Sequence, residues 1–172
     1  MQSPIQFDPK LDLILERIIA IKPELVWRCW TEPELLVQWF CPRPWQTIAC
    51  EIDLIPGGQF KTTMQGPEGQ TIPNCGTFLE IIPNRKLVWT SALLPGFRPH
   101  PKIVGEANFA EFVFSAMIVL EPHPTGCKYT AIVIHPDEES CNKHQAMGFH
   151  QGWSIALDQL IAVAHSLATV AP

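Results

Sequence analysis

The chain is poor in charge and carries none of the short catalytic signatures. Only 17% of its 172 residues are charged, against 47% apolar. The net charge of −5 is spread along the length, and no cluster of Lys and Arg offers a surface to nucleic acid or an anionic membrane. No apolar run approaches membrane-spanning length. The opening Met1-Gln2-Ser3-Pro4-Ile5 lacks the basic region and apolar run of a secretory leader, so a cytoplasmic location is expected. There is no GxGxxG or Gly-Lys-Ser/Thr phosphate loop, no GxSxG elbow, no identifiable Cys–His unit, no HExxH and no pair of histidines four apart. The six cysteines, Cys29, Cys41, Cys50, Cys75, Cys127 and Cys141, include no CxxC pair. Their neighbours are mostly apolar, which reads as buried reduced thiols rather than disulfides. Neither a metal nor a cofactor is expected.

What the chain does have is apolar periodicity punctuated by 17 prolines. Leu11 to Ile21 reads as a first strand. Two short helices follow, with Pro23 in the first turn of one and Pro33 restarting the other. Thr31 and Glu34 have the spacing of a capping box at that restart. Strand-like runs come next: 46–54, 59–65, 76–82, 85–93, 112–120 and 127–135, separated by turns such as Pro56-Gly57-Gly58 and Gly66-Pro67-Glu68-Gly69. From Asp137 to Ala168 the period becomes helical. Trp153, Ala156, Leu157, Leu160, Ile161, Ala164 and Leu167 share one face, and Asp158, Gln159, His165 and Ser166 the other. Gly148 and Gly152 lie four apart on this helix, where glycine costs about 1 kcal/mol relative to alanine, which leaves room for close backbone approach or a bound molecule.

The expected class is therefore α+β. A curved antiparallel sheet wraps around one long C-terminal helix, with two short helices after the first strand. Residues 1–10 read as an arm and 11–170 as a single domain.

Four segments carry a resemblance: Val26-Trp27-Arg28-Cys29-Trp30-Thr31-Glu32-Pro33-Glu34; Glu51-Ile52-Asp53-Leu54-Ile55-Pro56-Gly57-Gly58; Gly76-Thr77-Phe78-Leu79-Glu80-Ile81-Ile82-Pro83 with Leu87-Val88-Trp89-Thr90; and Gly148-Phe149-His150-Gln151-Gly152-Trp153. In this order they resemble the helix-grip proteins of the START and birch-pollen-allergen superfamily. More closely, they resemble the family named after the activator of the heat-shock chaperone ATPase, which also carries polyketide-cyclase labels. The resemblance implies the helix-grip fold and a cavity between sheet and helix. It implies no single reaction, because this fold hosts binders, cyclases and chaperone regulators. The eukaryotic activator has a separate N-terminal domain, for which 172 residues leave no room.

Strand alternation nominates the cavity lining. Tyr129, Ala131 and Val133 should face inward, as should Phe112, Phe114, Ala116, Ile118 and Leu120. Phe78 shares a face with Glu80, and Trp89 with Leu87 and Ser91. With Trp39, Phe60, Phe149, His150 and Trp153 these form an aromatic lining, for which ordinary core packing is the competing reading. The candidates for proton transfer are His150, Glu80 and Glu111. The irregular 94–110 stretch reads as a lid or binding loop, with Arg98, His100 and Lys102 placed to meet an anionic group, or as a solvated loop. Met117, Val119, Ile132 and Ile134 should point away from the cavity, and a homodimer through the 112–120 and 127–135 hairpin is expected. The leading functional expectation is binding of a small hydrophobic ligand, aromatic, lipid or polyketide-like. The alternatives are a cyclase, dehydratase or isomerase acting on such a ligand, and a chaperone-ATPase regulator.

Overall fold

A computed structural model describes residues 6–101 and 113–170. Seven strands form one antiparallel sheet: β1 (Asp12–Ile19), β2 (Gln46–Ile52), β3 (Gln59–Gln65), β4 (Thr71–Ile82), β5 (Lys86–Thr90), β8 (Ser115–His123) and β9 (Gly126–Ile134). Their order is β1-β9-β8-β5-β4-β3-β2. β6 (Leu93–Leu94) and β7 (Arg98–Pro99) pair separately around a 3-10 turn, Pro95–Phe97. Four helices complete the described chain: α1 (Pro23–Thr31), α2 (Pro33–Leu36), α3 (Glu138–Ala146) and α4 (Phe149–Val170). This is the helix-grip arrangement expected from the order of elements.

The alternation of β8 and β9 is visible in their burial. Ala116, Ile118, Leu120, Tyr129, Ala131 and Val133 are all buried, and they meet Leu157, Leu160 and Ala164 of α4 in one core cluster. Burying a side chain of Leu or Ile size contributes about 1.5–3 kcal/mol. That burial, more than helix propensity, is what holds α4 against the sheet. On the other face of the hairpin, Met117 is buried, while Val119, Ile132 and Ile134 are half-buried.

Four local expectations are corrected. The helix expected over 137–168 is two helices. Gly148 has φ of +90°, a left-handed conformation that glycine adopts freely, and it turns the chain between α3 and α4. β4 begins at Thr71 rather than Gly76. Pro73 is tolerated there because β5 pairs with β4 only from Thr77 onward, so the missing N–H falls where β4 is an edge. The capping box at the second helix does not form. Thr31 ends α1 and donates its hydroxyl to the Trp27 carbonyl at 2.8 Å, while Glu32, with no side-chain cap bond, precedes Pro33. The register of β4 against β5 shifts between Phe78 and Glu80, a bulge that breaks the shared face. Phe78 is fully buried, whereas Glu80 is part-exposed and pairs with Lys86 at 2.6 Å.

The Pro56-Gly57-Gly58 turn has a steric reason. A Cβ on Gly58 would overlap the carbonyl oxygens of Asp53 and Ile55. Gly57 donates to the Phe78 carbonyl at 2.8 Å, and its own carbonyl accepts from Gly96 at 2.8 Å. The turn thereby ties the β6–β7 unit to the sheet. Of the stretch 94–110, residues 94–101 are thus an ordered turn and short ladder, and 102–110 lie outside the described residues.

Candidate functional site

Sheet, α4 and the α1–α2 pair do not close on one another. They surround a cavity of about 460 Å³, within the range of small-molecule sites. Its wall is a nearly continuous series of touching rings. Ring centroids are 4.8 Å apart for Trp30–Trp39, 5.5 Å for Trp39–Phe40 and 5.9 Å for Phe40–Phe60. The series continues through Phe60–Trp89 at 5.0 Å, Trp89–Phe114 at 5.4 Å and Phe114–His144 at 5.5 Å. It ends with His144–Phe149 and Phe149–Trp153, each at 5.2 Å. Most of these pairs are edge-to-face, the geometry favoured by aromatic quadrupoles and worth about 0.5–1.5 kcal/mol each. Rings in contact with one another brace the wall.

Polar contacts anchor the Trp39 end of this wall. The Trp39 indole N–H donates to the Cys29 carbonyl at 2.9 Å, locking α2 onto α1. From α4, the Gln159 amide donates to the carbonyls of Trp39 and Cys41, each at 2.8 Å, and accepts from the Arg43 N–H at 3.1 Å. Periodicity places Gln159 on the polar face, and in the structure it is the clamp that joins α4 to the aromatic helix pair.

Of the residues nominated from sequence, Trp39, Phe60, Trp89, Phe114, Tyr129, Phe149 and Trp153 line the cavity. Phe78 lies behind Phe60, with ring centroids 5.3 Å apart, and does not reach the lining. His150 corrects an expectation: its Nε2 lies 3.1 Å from the Ile14 carbonyl, on the exposed side of α4 and away from the cavity. One residue along a helix is a rotation of about 100°, and here it carries His150 to the exposed side while Phe149 stays buried in the wall. Glu80 is likewise outside, for the bulge described above. Glu111, Phe112 and Lys102 lie outside the described residues. Arg98 is exposed, while His100 reaches the lining.

Trp30 and Phe40 of the two short aromatic helices, and His144, line the cavity without being among the residues nominated from sequence. His144 contributes to the cavity wall, and its Nδ1 lies 2.9 Å from His135 Nε2; His135 Nδ1 lies 2.9 Å from the Leu11 carbonyl. A readable signal existed. Asp137 accepts from the Ser140 N–H at 2.7 Å as the N-cap of α3, and the glycine at 148 closes that helix. Recognising a separate α3 would have turned attention to the residues of its inner face.

Lys61 is the one lining residue of the described chain with a full charge, and Glu51 pairs with it at 3.0 Å. Burial pushes the Tyr129 phenol well above its usual range; the nearby Trp30 indole opposes this only in part. The Trp89 indole N–H is buried with no hydrogen-bond partner among the described residues. All six cysteines are free. Burial raises the Cys29 thiol to about 12 and those of Cys50 and Cys127 to about 11, and it also raises Cys41 and Cys75 at the cavity wall. Thiols held protonated in this way make poor nucleophiles.

Burial, and secondarily the neighbouring His135, lower His144 to about 4 from its usual 6.5. The unfolded chain then binds a proton that the native state refuses. Stability is full above pH 6.5 and falls as pH drops toward 4. His144→Phe should flatten that part of the stability–pH curve; urea melts between pH 4 and 7 would check it, and an unchanged slope would contradict the assignment.

The family model described as Activator of Hsp90 ATPase homolog 1-like protein matches residues 20–165. A crystal structure of a protein from Nitrosomonas europaea is 42% identical, with a TM-score of 0.87, covering 95% of this chain and 99% of that one. A Rhodobacter sphaeroides protein shares the fold at 21% identity and TM-score 0.75, covering 96% and 99%. So does a protein titled AHSA1-like from Aeromonas hydrophila, at 18% identity and TM-score 0.67, covering 92% and 94%. The comparison with curated proteins found no match. Among the described residues, no helix is long and apolar enough to cross a membrane.

Proposed function

We infer, from the premise that this chain belongs to the family of Activator of Hsp90 ATPase homolog 1-like proteins, that it binds a small, uncharged, aromatic-rich ligand between the sheet and α4. The observation that carries this reading is the ring-walled cavity of about 460 Å³. Two further features support it. The wall is braced by its own ring contacts and by the Gln159 clamp, so binding need not pay to organise the site. Among the described residues the one charged lining residue, Lys61, already has Glu51 as its partner, which supports an uncharged guest. Aromatic walls offer stacking and edge contacts to flat apolar molecules, and the few polar groups among them set orientation.

Native mass spectrometry of protein purified from its own host tests the reading. The expected result is a small-molecule adduct that disappears on denaturation. Independently, a panel of uncharged bicyclic aromatics should raise the melting temperature. At a hundredfold excess over Kd the gain is about 2.7 kcal/mol, or on the order of 5–10 °C for a chain of this size. An unliganded mass together with no thermal shift across the panel would contradict the reading.

A further inference from the structure

The inner face of the sheet carries one polar interruption. Phe60, Thr62 and Met64 share a face of β3 and all three line the cavity. Phe60 packs there on Phe40 and Trp89, which fixes that face as the inner one. The register sets Cys50 of β2 and Asn74 of β4 directly opposite Thr62, so the three make one row across three strands. In the adjoining rows Phe60 meets Gly76 and Met64 meets Ile72. Opposed residues on one face have Cβ atoms about 4.5–5.5 Å apart, so one small group reaches both Thr62 and Asn74.

Thr62 is only 4% exposed, yet its hydroxyl makes no hydrogen bond among the described residues. Among those residues, the side-chain polar atoms sealed from solvent and unpaired are the indole nitrogens of Trp30 and Trp89. The Thr62 oxygen is not one of them. The little surface this residue keeps therefore includes its hydroxyl, and on the inner face that surface belongs to the cavity. Asn74 lines the cavity beside it, with Nδ2 3.4 Å from the Ile72 carbonyl. A carbonyl only accepts, so the amide nitrogen sits on that side and Oδ1 remains as an acceptor. The other wall hydroxyls have company: Ser91 accepts from the Phe114 N–H at 3.2 Å, and the Trp30 indole lies beside the Tyr129 phenol.

We propose that Thr62 and Asn74 are the polar anchor of the cavity and that they receive a hydroxyl group, so that the bound molecule is an uncharged, hydroxylated aromatic. One ligand hydroxyl accepts from Thr62 and donates to Asn74 Oδ1 at once, which an ether or a ketone cannot do. The inference rests on the ligand-binding reading of the cavity, and it adds the functional group that the aromatic wall alone leaves open.

Two measurements test it. The first is calorimetric titration with 1-naphthol and 1-methylnaphthalene, which carry a hydroxyl and a methyl on the same ring system. Thr62→Val keeps the β-branched shape and removes the hydroxyl. It should weaken 1-naphthol about three- to tenfold, the range one net hydrogen bond supplies, and leave 1-methylnaphthalene bound at least as tightly. Asn74→Leu should act in the same direction. Equal losses for the two compounds, or no loss for 1-naphthol, would overturn the proposal and leave the cavity reading standing. Binding of neither compound to the unsubstituted protein would overturn both. The second needs no variant: a crystal structure of the 1-naphthol complex. The naphthol oxygen should lie within about 3.2 Å of both Thr62 Oγ and Asn74 Oδ1; an oxygen out of reach of either would overturn the proposal.

Discussion

Replacing Gly152 by phenylalanine should weaken ligand binding at least about tenfold while the protein still folds. Gly152 lies in the first turns of α4 and lines the cavity. Among the described residues a Cβ built there meets only the Pro42 Cγ, at 3.6 Å, which is ordinary contact. The position therefore has space for a side chain, and on the ligand-binding reading proposed above that space is part of the site. A benzyl group would occupy volume otherwise left for a bound ring, and removing even a few atoms' worth of contact changes affinity by 1.4 kcal/mol per factor of ten. Gly152→Ala is the control. It should keep ligand binding and stabilise the helix by about 0.5–1 kcal/mol, raising the melting temperature by roughly 1–4 °C. Unchanged affinity in the phenylalanine variant would place the ligand elsewhere.

Phe78→Ala should be the costliest single truncation in the sheet. The ring is fully buried behind Phe60, at a centroid distance of 5.3 Å. Its loss removes apolar burial and leaves a void behind the cavity wall, a combination that costs about 3–5 kcal/mol. In a chain of this length that lowers the melting temperature by on the order of 6–20 °C. Denaturant titration should show a lower midpoint with the slope kept, because the unfolded surface changes little. A loss below about 1 kcal/mol would mean that Phe78 packs far more loosely than its burial implies.

These two positions also mark what the sequence makes legible. Trp89 and Tyr129 are legible because a strand's period of two leaves little choice between its faces, and both lie on the cavity wall. The inner face of α4 was found by its period of 3.6. Trp39 belongs to a stretch, Trp27 to Phe40, that holds three tryptophans and a phenylalanine in two short helices, a density of rings that suits a wall. Elsewhere local geometry broke the period without an obvious mark. The bulge between Phe78 and Glu80 sends a nominated acid to the surface, and no glycine or proline announces it. His150 was nominated for its closeness in sequence to Phe149, but neighbouring helix positions point in different directions. His144 was overlooked because Gly148 was read as a helix-interior glycine, when its positive φ ends one helix and opens the way to the next. The partnership of His144 with His135 and the Leu11 carbonyl joins three distant parts of the chain. Only tertiary structure brings such groups together. Gln159 shows the same limit: its polar side chain fits a solvated face equally well until the loop over 39–43 is placed beside it.

The central claim is an open, ring-walled space that admits an aromatic guest. The most direct measurement is a crystal structure of the protein soaked with 4-iodophenol, read by the anomalous signal of iodine. The account predicts iodine between Trp39, Phe114 and Trp153, with the surrounding rings where they stand in the empty protein. Side chains collapsed to fill that space, with iodine absent from it, would contradict the account.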